Sequence, residues 1–337
     1  MDRDDLSMIA DGLHRILSDA PLEVIDHARG QGELSAALWA TLEESGYPSL
    51  CAEEANGGLG ATFPEAAVLA TLTAQHALAL PLIDTMLARG LLSQAGVTAS
   101  GQRIAILDPS DPDLPVAHAE QCDAILSLRG GELCLHAIVA DDLVAAPGGE
   151  DGAARFIGQS GQAIARVPAP DWLTTEAFHA LGAFLRCARM AGAMQGALDL
   201  TLAYTSEREQ FGRPLSKFQA IQHHLADIGC ETAAASAAVE MAVDALAADP
   251  LCGKSVIDEI AIAKVRCGEA ATRVAAAAHQ AHGAMGFTRE YKLGRFTRRL
   301  WQWQDEFGSA DEWAQRLGHA ILEADEPALW PVVSRPV

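Results

Sequence analysis

Residues 204–219, YTSEREQFGRPLSKFQ, combine side chains that can hold an anionic ligand. Arg208 precedes the turn QFGRP, Phe211 lies within it, and Gln219 opens the next helical pattern. A guanidinium binds a pyrophosphate through paired hydrogen bonds, and an aromatic ring packs beside the ligand. Composition alone favours a plainer interpretation, in which Arg208 lies on a solvated Glu–Arg–Glu helix face and Gln219 completes a capping box with Ser216.

Residues 279–287, HQAHGAMGF, place two glycines where a helical pattern ends. Gly283 and Gly286 permit a positive φ angle or a close approach of the backbone to a ligand. Helix termination and packing explain the same two residues. His279 and His282 stand on the same segment, but no carboxylate or cysteine lies at a supporting spacing, so we predict no metal site here.

Residues 298–308, RRLWQWQDEFG, end in two acidic side chains before a Phe-Gly pair. Glu306 would serve as a proton-abstracting base if it lay in an apolar pocket, because burial makes a carboxylate more basic. The alternative is a solvated carboxylate near a helix end. Taken singly, none of these three segments identifies a function.

The balance of charge limits the possible partners. The 337 residues include 24 basic and 45 acidic side chains, which give a formal net charge of −21. Such a field repels nucleic-acid backbones and anionic membranes, so any phosphate-bearing ligand needs locally placed cations and backbone amides. The hydrophobic share of 50% and the charged share of 20% are typical of a globular chain with two or three domains.

The sequence also predicts where the protein works. Its first residues, MDRDDLSMIADG, lack the basic-then-apolar order of a signal peptide. The longest apolar stretch, 178–203, is interrupted by Arg186, Arg189 and Gln195, which argues against a membrane span. Seven cysteines lie far apart without a Cys-x-x-Cys pair, so we predict free thiols in a soluble, cytoplasmic protein without a metal framework.

The elements that position these residues follow from periodicity and turn signals. Helical patterns fill the first hundred residues, including one helix from Pro64 to about Leu80. Short apolar runs follow, among them LRGGELCL around a Gly-Gly turn, and these predict a small β domain. We therefore predict a mostly α protein with a small β domain, divided into residues 1–100, 101–172 and 173–330.

The last of these three regions has the pattern of an antiparallel helical bundle. Its predicted helices cover about 175–208, 216–248, 255–282 and 291–305, and a further helix follows. Ser255 with Asp258 and Ser309 with Glu312 have the spacing of capping boxes at two helix starts.

Taken together and in order, three segments resemble the acyl-CoA dehydrogenase family. They are YTSEREQFGRPLSKFQAIQHHLADI, HQAHGAMGFTREY and LCAEEANGGLGATFPEAAVL. The resemblance implies an acyl-CoA dehydrogenase-like fold, with an N-terminal helical domain, a middle β domain and a C-terminal four-helix bundle. It also implies FAD as cofactor, with its adenosine diphosphate half contacted across a subunit interface by Arg208, Phe211, Gln219, Gln280 and Gly283.

The implied reaction is α,β-desaturation of an acyl-CoA thioester. A glutamate takes the α-proton, the flavin takes the β-hydride, and an electron-transfer flavoprotein receives the electrons. This sequence departs from the family at the base, because Phe307 falls at the usual glutamate position with Glu306 one residue before it. The other known base position falls on Gly182, which has no side chain, and Glu176 lies almost two turns away.

The middle domain departs as well. Residues 101–172 contain no threonine and lack the family's flavin-holding loop, so this domain is reduced. The combination resembles the shorter subunit of heteromeric bacterial acyl-CoA dehydrogenases, some of which act in steroid side-chain breakdown, where a longer homologous subunit supplies the base and the loop. Two alternatives remain open, which are a homo-oligomeric dehydrogenase with Glu306 as base and a non-catalytic helical scaffold.

Overall fold

The structure, a computed structural model, describes residues 1–20, 32–111, 113–146, 151–158, 163–288 and 291–322, with side chains from residue 36 onward in the second range. The chain forms two compact units, residues 1–185 and 186–337. The boundary between them lies inside a helix that begins at Thr175. The division into three domains at residues 100 and 172 stays a prediction. Each unit is described separately below.

Helices open the first unit, as predicted. They are α1 (Arg3–Asp19), α2 (Gly32–Glu44), α3 (Phe63–Gln75) and α4 (Leu82–Gln94). Helix α3 begins with a capping box between Thr62 and Glu65, in which each side chain satisfies a backbone N–H of the other residue. It ends at Gln75, earlier than the predicted Leu80, because Ala77 adopts a left-handed conformation with φ of 53° that stops the helix.

The predicted β region forms a four-stranded sheet within the described residues, in the order β1-β2-β3-β6. The strands of this region are β1 (Ile104–Ile106), β2 (Ala124–Arg129), β3 (Glu132–Ala137), β4 (Leu143–Ala145), β5 (Ala154–Phe156) and β6 (Ala163–Pro168). Strands β1 and β2 are parallel, and the other pairs are antiparallel. Gly130 and Gly131 join β2 to β3 with φ angles of 59° and 79°, which confirms the predicted Gly-Gly hairpin.

Long helices dominate the rest of the chain. They are α5 (Thr175–Glu207), α6 (Gln219–Ala248), α7 (Lys254–His282), α8 (Leu293–Trp303) and α9 (Ala310–Leu322). A short hairpin of β7 (Glu209–Gln210) and β8 (Arg213–Pro214) connects α5 to α6. Alanine side chains allow close packing of α6 against α7, so that the Cys267 sulfur lies 3.9 Å from the Ala235 carbonyl oxygen. Within the described ranges, no helix is both long and apolar enough to cross a membrane.

Two of the three predicted capping boxes in this region are absent from the structure. Helix α6 begins at Gln219 with Phe218 as its N-cap and no side-chain cap, because Ser216 lies in the short 3-10 turn Leu215–Lys217 that precedes the helix. The expected capping box of Ser255 is absent because this serine lies inside the first turn of its helix.

In that second case α7 begins one residue before Ser255, at Lys254, and Gly253 is its N-cap. The Asp258 carboxylate accepts from the Lys254 ammonium at 3.1 Å. The capping box of Ser309 and Glu312 is confirmed, since the serine N–H donates to the glutamate at 2.6 Å and the glutamate N–H donates back to the serine hydroxyl at 3.3 Å.

Candidate functional site

The hairpin between α5 and α6 presents the first candidate residues. The Arg208 N–H donates to the Tyr204 carbonyl at 2.9 Å, and the Leu215 N–H donates to the Arg208 carbonyl at the same distance. The turn residues Phe211 and Gly212 have φ angles of 54° and 78°, as a two-residue β-hairpin requires. For a phenylalanine this conformation costs about 1–2 kcal/mol, and the ring is nevertheless 94% exposed.

Phe218 holds this hairpin from the side of α6. Its ring meets the Phe211 ring edge-on at 6.2 Å, and the Arg213 guanidinium lies 4.1 Å from its centroid. Gln219, the first residue of α6, directly follows. The structure therefore brings Arg208, Phe211 and Gln219 to a single short hairpin and the helix start beside it.

Arg208 is exposed, and its guanidinium makes no hydrogen bond or ion pair to any residue in the part of the chain that the structure describes. The interpretation as a helix-face ion pair with the neighbouring glutamates therefore has no contact to support it. An exposed, unpaired guanidinium remains available to an anion.

The second motif lies at the end of α7. Gly283 has φ of 60° and ψ of −142°, a combination that is essentially restricted to glycine, and its N–H donates to the His279 carbonyl. The Tyr204 ring stacks on His282 at 4.5 Å, and its hydroxyl donates to the His282 carbonyl at 3.5 Å. Since Arg208 follows Tyr204 by one helical turn, the two motifs meet at the same end of the second unit.

Gln280 lines a groove of about 640 Å³ between α6 and α7. The other lining residues are His224, Asp227, Glu231, Arg273, Ala276 and Ala277. Arg273 donates to Glu231 at 2.8 Å, so the groove's arginine is already paired with a carboxylate. Gln280 therefore lies in the groove between α6 and α7 and not on the hairpin that carries Arg208 and Phe211.

Glu306 is engaged on both carboxylate oxygens. The Arg186 Nε–H donates to one oxygen, and the Gln302 amide donates to the other at 2.6 Å. The Arg186 side chain is buried, and that of Glu306 is only 11% exposed. The predicted base is thus half of a buried ion pair.

Lys264 anchors the backbone around Glu306. Its buried ammonium donates to the carbonyl oxygens of Trp303, Gln304 and Glu306 at 2.8, 3.2 and 2.7 Å. These carbonyls lie at the end of α8, where a cation interacts favourably with the helix dipole. Burial lowers the pKa of Lys264 to about 8, so the side chain is still mainly charged at neutral pH.

Phe307, at the position where the resemblance places the base, is buried in a left-handed conformation with φ of 55°. The Arg186 guanidinium lies 5.1 Å from the centroid of its ring, and its carbonyl accepts from the Trp313 indole N–H at 2.9 Å. The alternative position, Gly182, is buried inside α5, and Glu176 is exposed on the first turn of that helix. Neither family position carries an acid in the described structure.

A third arrangement lies in the first unit, after strand β1. Asp108 accepts hydrogen bonds from the Ser110 hydroxyl at 2.7 Å and from His179 Nδ1 at 2.8 Å. Burial raises the pKa of Asp108, but the hydrogen bonds from His179 and Ser110 outweigh burial and hold that pKa below its usual value. Ser110 and Asp108 both meet the same ring nitrogen, so the histidine cannot relay a proton between them as in a nucleophilic triad.

Comparison with known proteins places these features in a family. A profile described as acyl-CoA dehydrogenase, C-terminal domain, matches residues 173–301. The acyl-CoA dehydrogenase IpdE2 of Mycobacterium tuberculosis is 28% identical over 86% of this chain and 87% of its own length. Residues 173–301 therefore match the C-terminal domain of the acyl-CoA dehydrogenases, and the chain is similar to an acyl-CoA dehydrogenase over most of its length.

Solved structures of this family share the fold of the chain. The ChsE4–ChsE5 complex from Mycobacterium tuberculosis matches with a TM-score of 0.79 at 20% identity, over 97% of this chain and 99% of that one. A Tcur3481–Tcur3483 steroid ACAD variant matches with the same TM-score at 22% identity, over 95% and 98%. These likenesses confirm the predicted fold class.

FAD is the cofactor of this family, and the hairpin suits its diphosphate end. Among the described residues the Arg208 guanidinium has no partner, the Phe211 ring is exposed, and a Cβ built at Gly283 would meet no atom within 4 Å, so that its backbone is open to a ligand. In a chain with a net charge of −21, a local cation is needed for a dianionic diphosphate. The residues present therefore fit this half of the cofactor.

Arg186 and Lys264 are the site residues that sequence reasoning missed. In the sequence, Arg186 is visible only as an interruption of an apolar stretch. A cation on a buried helix face nevertheless requires a buried counter-charge. Lys264 interrupts the apolar face of α7 in the same way, and it is completely buried. Both signals were in the sequence, but neither identifies the partners, which lie at and just beyond the end of α8.

Proposed function

We propose that this chain is the shorter subunit of a heteromeric acyl-CoA dehydrogenase that desaturates an acyl-CoA thioester at its α and β carbons. Bound FAD would supply the hydride acceptor, and an electron-transfer flavoprotein would receive the electrons. A longer homologous subunit would contribute the catalytic base and the contacts to the flavin ring. The observation that carries this proposal is the engagement of both Glu306 oxygens by Arg186 and Gln302.

A catalytic base must direct a free lone pair at the proton that it removes. To do so, Glu306 would have to break its hydrogen bonds to Arg186 and Gln302, and separating the partners of a buried ion pair costs about 3–5 kcal/mol. The neighbouring Phe307 has no group that accepts a proton. We therefore favour an arrangement in which the base comes from another subunit.

The proposed role of this chain is to hold the adenosine diphosphate half of FAD. Arg208 would bind the diphosphate, Phe211 would pack beside the cofactor, and Gln219, Gln280 and Gly283 would add polar backbone and amide contacts. These groups are exposed on the isolated chain, as expected for residues that complete a site on a neighbouring subunit.

The reduced middle domain supports the same division of labour. Residues 101–172 contain no threonine, and the segment after β1 is occupied by the hydrogen bonds among Asp108, Ser110 and His179. Contacts to the flavin ring would then have to come from the longer subunit.

Two of the structural neighbours are the ChsE4–ChsE5 complex and a Tcur3481–Tcur3483 steroid ACAD variant. From the second of these neighbours we propose that the substrate of the present chain is a bulky, steroid-type acyl-CoA. The seven free cysteines support our placement of the enzyme in the cytoplasm.

The test is the flavin absorbance of the chain purified alone and with a coexpressed longer homologue, measured together with size. We expect little flavin on the lone chain and less than one FAD per chain in the pair, with bleaching on addition of acyl-CoA. A lone homo-oligomer with one tightly bound FAD per chain and full bleaching would overturn the proposal and favour Glu306 as base. A colourless pair would favour a non-catalytic scaffold.

A further inference from the structure

His14 and His76 form a contact in the first unit that the proposed function does not use. His14 lies on the exposed side of α1, and His76 is the C-cap of α3. His14 Nδ1 and His76 Nε2 are 3.0 Å apart, although the residues are separated by 62 positions in the sequence. The ring centroids are 4.9 Å apart with an angle of 65° between the planes.

Two imidazole nitrogens bound to one transition-metal ion lie about 3.0–3.4 Å apart, because each metal–nitrogen bond is about 2.0–2.1 Å long. The separation observed between His14 and His76 is at the short end of this range. We propose that these two histidines chelate a divalent transition-metal ion, such as Ni²⁺ or Zn²⁺, at the junction of α1 and α3. Rotation of the rings about χ2 would direct both lone pairs at a common point.

One tautomer of His14 presents the nitrogen that the site needs. The Ser18 hydroxyl lies 3.5 Å from His14 Nε2, one turn further along α1. In the tautomer whose Nε2 proton points to Ser18, Nδ1 retains its lone pair and accepts a hydrogen bond from His76 Nε2. Metal binding requires His76 to move its proton from Nε2 to Nδ1, so both rings stay neutral and no proton is released.

The charge of the surroundings also suits a cation. Asp11 is exposed one turn before His14, and the chain as a whole carries a net charge of −21. Arg15 is the adjacent cation on α1, and it is exposed to solvent.

The site would be open. No group of three metal-ligating side chains occurs among the residues that the structure describes, so water would fill the remaining positions on the ion. An open two-histidine site binds reversibly and does not determine the fold, unlike a closed structural zinc site. Its effect would be to clamp α1, which is anchored by the buried Leu13 and Leu17, to the end of α3.

The test is titration of the full-length chain with Ni²⁺ by calorimetry, followed by thermal unfolding. His14→Gln and His76→Asn should each weaken one equivalent of binding by at least tenfold, and the double variant should lose no more than either single variant. Because the site exists only in the folded chain, free Ni²⁺ at ten times its Kd should raise the folded-to-unfolded ratio about elevenfold.

His223→Gln combined with His224→Gln is the matched control, since it removes two other histidines that lie on α6. This control should retain the equivalent that depends on His14. Binding that survives both single variants, or losses that add as for independent sites, would overturn the proposal. If a variant fails to fold, Cu²⁺ electron paramagnetic resonance on the control chain decides, because a single coordinated nitrogen contradicts a shared site.

Discussion

Arg186 on α5 and Glu306, just beyond α8, form a buried ion pair in the second unit. Gln302 donates to the second oxygen of the same carboxylate, and the Lys264 ammonium binds the Glu306 carbonyl at 2.7 Å. These contacts give Glu306, which lies one residue before the family's base position, a structural role. Removing one partner of such a pair leaves an uncompensated buried charge, whereas removing both does not.

The first prediction concerns the stability of this pair. Arg186→Gln or Glu306→Gln alone should lower the free energy of unfolding by about 3–5 kcal/mol, and the double variant should lose clearly less than the sum. Urea denaturation measures all three. Lys254→Gln is the control, because its ion pair with Asp258 is 74% exposed on the lysine side and should contribute less than about 1 kcal/mol. Additive losses would contradict a coupled pair.

The second prediction concerns catalysis by the assembled enzyme. If the base comes from another subunit, the double variant of Arg186 and Glu306 should reduce its flavin with acyl-CoA at a rate close to that of the parent. Stopped-flow absorbance of the flavin band measures this rate. Loss of reduction while FAD stays bound and the chain stays folded would assign the base to Glu306 after all.

The third prediction concerns the cofactor. Arg208→Ala should weaken FAD binding about 10–100-fold, because one charge-assisted contact contributes about 1.5–3 kcal/mol. The flavin content of the functional assembly is the readout, with circular dichroism to confirm the helices. Lys217→Ala removes another exposed cation near the hairpin and should leave the flavin content unchanged. If the Arg208→Ala variant kept the same flavin content as the Lys217→Ala variant and the parent, Arg208 would be an ordinary surface charge.

The fourth prediction sets stability against function at the hairpin turn. Phe211→Gly should stabilise the isolated chain by about 1 kcal/mol, since glycine adopts φ of 54° without strain, yet it should weaken FAD binding. Gly212→Ala should destabilise the chain by a similar amount, because its φ is 78°. Thermal unfolding and flavin content are measured on both variants. A Phe211→Gly variant with normal flavin binding would show that the ring does not contact the cofactor.

The fifth prediction concerns pH. Burial lowers the pKa of His279 and of His282, with Arg298 adding to the effect at His279. The unfolded chain binds protons on these rings near pH 6.5, whereas the folded chain binds them only at lower pH. Unfolding therefore takes up protons, and stability should fall as the pH drops below about 6.5.

Urea midpoints between pH 7.5 and 5.5 test the effect, with the exposed His223→Asn variant as a control that should follow the parent. The Asp108 carboxyl does not account for a change in this interval, because its lowered pKa acts below 3.8. Burial also lowers the pKa of His76 and of His136, so these two rings add to the same change. A flat profile would contradict the burial of these histidines.

Much of the fold was predictable because its signals are local. The Gly130–Gly131 hairpin, the capping box of Ser309 and the end of α7 at His282 depend on residues within a few positions of one another. The capping boxes expected at Ser216 and Ser255 failed because neither serine is the N-cap of its helix. The N-cap of α6 is Phe218, and that of α7 is Gly253.

The sequence by itself determined the resemblance to the acyl-CoA dehydrogenases, the mostly α architecture and the turn motif around Arg208, since each follows from residue order and spacing. Only the tertiary structure decided the state of Glu306. Its partner Arg186 is 120 positions away, and no local pattern specifies which buried cation meets which carboxylate. The same reason applies to His14 and His76, which become neighbours only when α1 packs beside the end of α3.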